Sequence, residues 1–270
     1  MKEALQLIIA NAVTAANATV TGSAGKMAVV PEGFKLHSLE KLEAQRNRFR
    51  GALATSSLAD FVTYVKERAN TASHGFVDKE NMACRVIFNL GDTEQPGHGD
   101  DSATLRLEPT AAYAALQRIA GKNLQQKDLA EWMEDWRDFL QAVTPDDQDM
   151  NLVQAIAAVR NITIKASSER TNVEGNFNAQ RSAMDQIEAA SQDTLPGSLI
   201  FSSAPYDGLP VRNFVLRLSV LTGEAKPVLK LRWVAEEQIR EEIAQDFKDL
   251  LATDIADATS LTIGTFELGA

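Results

Sequence analysis

The run Gly97-His98-Gly99-Asp100-Asp101 has the residue types most able to do chemistry in this chain. An imidazole beside carboxylates can serve as a general base or share a cation with them. That supports a metal-dependent hydrolase reading with His98, Asp100 and Asp101 as its catalytic residues. The competing reading is an acidic turn, because Gly, Asp and His collect in loops for backbone reasons. No second histidine stands at ligand spacing, since His37 and His74 are remote in sequence. Cys84 alternates with Val86 and Phe88, which predicts a small buried side chain rather than a nucleophile. As the single cysteine, it excludes an internal disulfide and a cysteine-built zinc site. Gly22-Ser23-Ala24-Gly25-Lys26 has two residues between its glycines where a phosphate loop needs four, so it reads as a hairpin turn. The reading therefore calls for no metal and no cofactor.

Charge supplies the other candidates. The 270 residues carry 27 Lys+Arg against 37 Asp+Glu, a net charge of −10, which argues against a nucleic-acid binder working by bulk charge. Within that acidic chain, Arg217, Lys230 and Arg232 are expected on one face of a hairpin by the period of two. They are the nucleic-acid-binding candidates. The alternative pairs this face with the acidic helix Glu236 to Asp249 or with a neighbouring subunit. Leu39 to Arg50 is a second basic stretch. Glu131, Glu134, Asp135 and Asp138 line the polar side of a helix and are the partner-interface candidates. Its other side carries Leu129, Trp132, Met133, Trp136, Phe139 and Leu140 at helical spacing, which reads first as a core stripe and second as an aromatic docking surface.

These residues need elements to hold them. Leu5, Ile8 and Ile9 fall at i, i+3, i+4 and predict an amphipathic helix over 2–18; Glu3 cancels the Lys2 charge, and Gln6 and Asn11 interrupt what would be a signal peptide's apolar run. A strand pair follows around Gly22 to Lys26, then a turn at Val30 to Phe34. Ser56-Ser57 offers the cap for a helix carrying Leu58, Phe61, Val62 and Val65. Met82 to Leu90 reads as a buried strand and Ala103 to Leu107 as another. Helices are expected from Pro109 to Gly121 and across Leu129 to Leu140. Thr144-Pro145-Asp146-Asp147 is the best boundary, combining Pro with acidic residues. Beyond it come a short helix at Leu152 to Val159 and strands at Asn161 to Ala166 and Leu195 to Ser202. Ser167 to Gln192 fits either a strand or a helix. A hairpin of Arg212–Leu221 with Val228–Val234, a helix through Ile239, Ile243, Phe247 and Leu250, and a last strand at Ser260 to Leu268 complete the reading. No apolar run approaches the ~20 residues of a membrane span.

The fold class is α+β: a small mixed sheet with helices in the N-terminal half, and an antiparallel β-rich C-terminal half with one long helix. The division is 1–145 and 146–270, either as two domains or around one shared core.

The order of segments resembles the YfdQ-type family of phage and prophage proteins, a family of unknown function. The residues that carry the likeness are Val29-Val30-Pro31-Glu32-Gly33, Leu39-Glu40, Arg50-Gly51, Phe76-Val77-Asp78, Pro96-Gly97-His98, the run Gln125 to Asp135, and the final hairpin with Arg232. The resemblance implies a temperate-phage accessory protein in the cytoplasm of the bacterial host; it assigns no catalytic residue. The leading expectation is a homo-oligomer that acts by protein–protein interaction on a host or phage protein, countering host defence or modulating phage DNA metabolism. A nucleic-acid-binding accessory of recombination or replication stands second, and the His98 hydrolase third.

Overall fold

The computed structural model describes residues 2–16, 20–22, 25–27, 40–162, 194–221 and 227–269. They form two compact units, Met1–Arg50 and Gly51–Ala270. The predicted turn at 30–34, the strand beyond Ile162 and the ambiguous stretch 167–192 lie outside the described residues.

In the first unit, α1 (Lys2–Ala16) precedes a hairpin of β1 (Val20–Gly22) and β2 (Gly25–Met27). Gly22 opposes Gly25 and Val20 opposes Met27, so the phosphate-loop-like run is a hairpin. Glu40 begins a short 3-10 turn, and its carboxylate accepts from the Arg50 guanidinium and from the Asn47 amide (3.2 Å). One cation of the basic stretch is thus neutralised locally.

The second unit holds two sheets. The mixed five-stranded sheet contains β3 (Gly51–Thr55), β4 (His74–Asp78), β5 (Ala83–Ile87), β6 (Asp101–Arg106) and β13 (Ser260–Ile263) in the order β13-β4-β5-β6-β3. β13 runs parallel to β4 and β3 parallel to β6, while β5 is antiparallel to both its neighbours. The six-stranded sheet is antiparallel throughout. Its members are β7 (Asn123–Leu124), β8 (Leu140–Val143), β9 (Asp149–Met150), β10 (Ser198–Ser203), β11 (Arg212–Leu221) and β12 (Val228–Trp233), in the order β7-β12-β11-β10-β8-β9. β8 and β9 pair across the Pro145 turn, where Asp147 takes a positive φ of 58°.

The helices cap as their sequences require. In α2 (Leu58–Arg68) the Ser57 hydroxyl accepts from the Asp60 amide (3.3 Å). Thr110 does the same for Tyr113 (3.2 Å) in α3 (Ala111–Ile119), and Asn151 for Val153 (2.9 Å) in α5 (Leu152–Arg160). α4 spans Gln126–Asp135 and α6 spans Glu236–Ile255. α2 packs on β3, β6 and α6; α4 and α5 pack together, α4 against β12 and α5 against β8. One apolar core runs from Phe61 through Phe201 to Ile255. Among the described residues, no helix is long and apolar enough to cross a membrane.

Several expected boundaries move: the strand expected over 82–90 is Ala83–Ile87, the last strand stops at Ile263 instead of Leu268, and two further shifts fall on candidate residues. The helix through Leu129 stops at Asp135; residues 137–139 form a 3-10 turn, and Leu140 is already in β8. Pairing with β10 wins over the helical periodicity, because Ala142 and Leu199 oppose each other inside the core. The strand at 103 begins two residues earlier, so Asp101 is a strand residue.

Candidate functional site

The glycines of the His98 loop are there for packing. A Cβ at Gly97 would stand 1.9 Å from the Asn89 carbonyl oxygen, and one at Gly99, where φ is +62°, would stand 2.0 Å from Leu268. Both amides are tied back, Gly97 to the Leu90 carbonyl (2.7 Å) and Gly99 to that of Asn89 (3.1 Å). His98 is exposed. Asp100 Oδ1 accepts from Asn89 Nδ2 (2.9 Å). Asp101, only 5% exposed, accepts from Arg68 (2.7 Å), whose guanidinium lies 5.3 Å from the Tyr64 ring centre and 5.5 Å from that of Phe88. That pair fastens the end of α2 to β6. The structure therefore spends Asp101 on an ion pair and leaves His98 in solvent. Among the described residues, no group of three His, Cys, Asp or Glu gathers as metal ligands. Cys84 is fully buried, and burial pushes its thiol up to about 12.

The acidic candidates divide by partner. Glu134 receives Arg160 of α5 (2.8 Å), Glu131 sits 3.6 Å from Lys127, and Asp138 lies beside Arg137 (3.5 Å) in the 3-10 turn rather than on α4. Asp135 is exposed, as is Asp128 one residue before buried Leu129. The apolar side of α4 is core: Leu129 and Met133 are buried, and Trp132 stacks on Phe201 at 5.6 Å.

The basic candidates do share a face. Arg217 opposes Arg232 across β11 and β12, and Lys230 opposes Ser219 two residues along. Phe214, Leu216 and Leu218 point to the other, buried face. The acidic helix offered as their partner, α6, lies against that buried face. It engages Arg212 instead, through Glu242 (2.6 Å) and Asp246 (2.7 Å). Burial lowers the Arg212 pKa, but the hydrogen bonds it donates to Asp246 and Glu242 raise it above its ordinary value. The Arg212 hydrogen bond in turn pulls the Glu242 carboxyl below its usual range.

A concave site escaped the sequence reading. Two adjoining clefts, of about 840 and 720 Å³, meet at Tyr206 and Glu80. The smaller lies at the carboxyl ends of the parallel pair β3 and β6, against Thr55, Ser56, Asn81, Arg106 and Glu108. Carboxyl ends of parallel strands are where open α/β sheets collect ligands. The larger is lined by Tyr113, Arg240 and Glu241 among others. Burial pushes the Tyr113 hydroxyl up to about 12 and raises that of Tyr206, so both are neutral hydrogen-bonding phenols at ordinary pH. Tyr206 is held by the turn after β10, where Pro205 O accepts from the Thr110 amide (3.0 Å) and Thr110 Oγ1 donates to Ala204 O (2.7 Å). No local motif signals this site, because its residues come from five distant segments.

A mixed and an antiparallel sheet sharing one core, with the charged surfaces outside it, define an α+β protein. The chain belongs to the uncharacterized conserved protein family DUF2303, whose model matches residues 1–266. No curated protein and no solved structure matches it.

Proposed function

We propose that this is a phage- or prophage-encoded accessory protein of YfdQ type that acts in the bacterial cytoplasm by self-association and by contact with a host or phage protein. Its role is to counter host defence or to modulate phage DNA metabolism. The observation that carries the reading is α1. Leu5, Leu7, Ile8 and Ile9 are 61%, 65%, 65% and 44% exposed, so a helix with a run of large aliphatic residues offers them to solvent. A helix of this kind gains most of its stability by burying its apolar face, which favours a partner.

The test replaces Leu5, Ile8 and Ile9 together by Ser in the full chain. Expected outcomes are a smaller particle in native mass spectrometry and loss of the chain's effect in an in-cell phage-infection assay, with the main thermal transition unchanged. Particle mass and infection effect both equal to wild type would sink the reading.

A second reading, binding to nucleic acid, draws on the adjacency of Arg217, Arg232 and Lys230. Three phosphate contacts predict a salt slope of about −2 to −3 in log–log form. Arg217→Ala with Arg232→Ala reduces that slope if the reading holds. Undetectable binding to single and double strands at low salt ends it.

A further inference from the structure

Each sheet of the second unit ends in strands whose outer backbone groups meet no further strand among the described residues. Such edges invite pairing with another chain, and folded proteins guard them with short strands, charges or prolines. Three of the four edges are cut short. β7 and β9 have two residues each, and β13 stops after four, where Gly264 takes a φ of +133°. β3 has no such guard. Its five residues, Gly51-Ala52-Leu53-Ala54-Thr55, include no charge and no proline.

The direction of its backbone groups follows from one hydrogen bond. The Gly51 amide donates to Asp100 O (3.1 Å), so Gly51, Leu53 and Thr55 turn their N–H and C=O toward β6. By alternation Ala52 and Ala54 turn theirs to the open edge, and both residues are exposed. Two such residues, one apart, are self-complementary. In an antiparallel pair centred on Leu53, Ala52 of one copy faces Ala54 of the other, and the two pairings exchange four N–H···O bonds. The side chains at that seam are methyl groups, so nothing bulky holds the strands apart. Charge admits the same occupant. A net charge of −10 makes copies repel, and the uncharged β3 is a place where they approach without opposing like charges. Arg50, at its start, is already met by Glu40.

We propose that β3 pairs antiparallel with β3 of a second copy about a two-fold axis, joining two five-stranded sheets into one of ten strands. This rests on the self-association reading above and adds a contact separate from α1. The contact is isologous and closes at two copies. It also brings the start of the second copy's β3 beside Thr55 and Ser56, which line the smaller cleft, so that cleft gains a wall in the dimer.

The experiment is native mass spectrometry of the full chain, as wild type and with Leu5→Ser, Ile8→Ser and Ile9→Ser. One edge variant is Ala52→Glu with Ala54→Glu; the other is Ala52→Lys with Ala54→Lys. Both positions are exposed, and circular dichroism matching that of wild type verifies folding. The α1 variant is expected to stop at the dimer. In that background each edge variant is expected to halve in mass, because pairing sets like charges directly opposite one another. An equimolar mixture of the two is expected to return to twice the chain mass as a heterodimer, and to weaken at about 0.5 M salt. Hydrogen exchange at the Ala52 and Ala54 amides is expected to slow as the concentration of wild type rises. Edge variants that stay dimeric, or a mixture that stays monomeric, overturn the inference. A chain that is monomeric once α1 is altered overturns it and leaves self-association to α1. A wild type that is monomeric at every concentration overturns it together with self-association. Exchange that slows at Leu261 and Ile263 instead moves the contact to β13 and overturns it as well.

Discussion

On the inner face of the six-stranded sheet, Phe201 is fully buried, with Trp132 at 5.6 Å and Phe139 at 5.7 Å from its ring centre. One residue along the same strand, on the outer face, Ile200 is half-buried opposite exposed Val215. The two faces share every backbone hydrogen bond of the sheet and differ only in what covers them. The inner one is closed by helices α3, α4 and α5 and sets the fold. Its composition is almost wholly apolar and aromatic, and a charged intruder, Arg212, is met by two carboxylates. The outer one tolerates Arg217 against Arg232, an arrangement a buried face could not hold. Burial therefore constrains one face to packing and leaves the other open to recognition.

The comparison breaks most sharply at Phe201. Phe201→Ala removes the ring on which Trp132 and Phe139 stack, and it is expected to cost about 3–5 kcal/mol, or roughly 10 °C in Tm. Val215→Ala, across the sheet, is expected to change stability by about 0.5 kcal/mol. Urea unfolding of both variants measures the contrast. Equal losses would mean that the outer face is covered as thoroughly as the inner one.

Much of this division was legible in the sequence. Alternation alone put Phe214, Leu216 and Leu218 inside and Arg217 outside, since strand geometry has a fixed period of two. The caps at Ser57 and Thr110 announced themselves for the same local reason. What failed was non-local. The stripe through Leu129 to Leu140 keeps helical spacing beyond Asp135, but pairing of β8 with β10 turns Leu140 into a strand residue. The His98 run looked reactive because the sequence shows Asp101 beside Asp100 and cannot show Arg68, 33 residues away, already bound to it. The Tyr206 clefts were invisible for the reverse reason, having no signature at any spacing. The parallel pairing of β13 with β4, across nearly the whole second unit, was equally silent.

The next contrast concerns the charge that the inner face admits. Arg212 holds the Glu242 carboxyl in its ionised form and depresses its pKa in the folded state. In the range where an unfolded glutamate titrates, near 4.5 and below, the unfolded chain then binds more protons than the folded one. The stabilisation is present in full above that range and is lost as pH falls through the folded-state value. Arg212→Gln is expected to lower Tm at pH 7 by less than Phe201→Ala does, and to flatten the decline of Tm between pH 5 and pH 3. Thermal scans across that range decide it. An acid limb as steep as that of wild type would show that the carboxylates gain nothing from the guanidinium.

The smallest effect is the most informative about the outer face, because its expected sign is opposite. Arg232→Thr takes one of two directly opposed guanidinium groups off the outer face and puts a strand-favouring residue in its place. The expected gain is about 0.2–1 kcal/mol, read as a higher urea midpoint at low salt. Assembly would mask it, since a bound neighbour stabilises the folded state by mass action. The comparison therefore belongs at protein concentrations low enough for wild type to run as its smallest species. Salt supplies the control. A gain that comes from relieved repulsion shrinks as salt rises, whereas a gain from strand propensity alone does not. A loss of stability would mean that Arg232 is held by its own chain, and the outer face would then be a structural surface rather than a recognition surface.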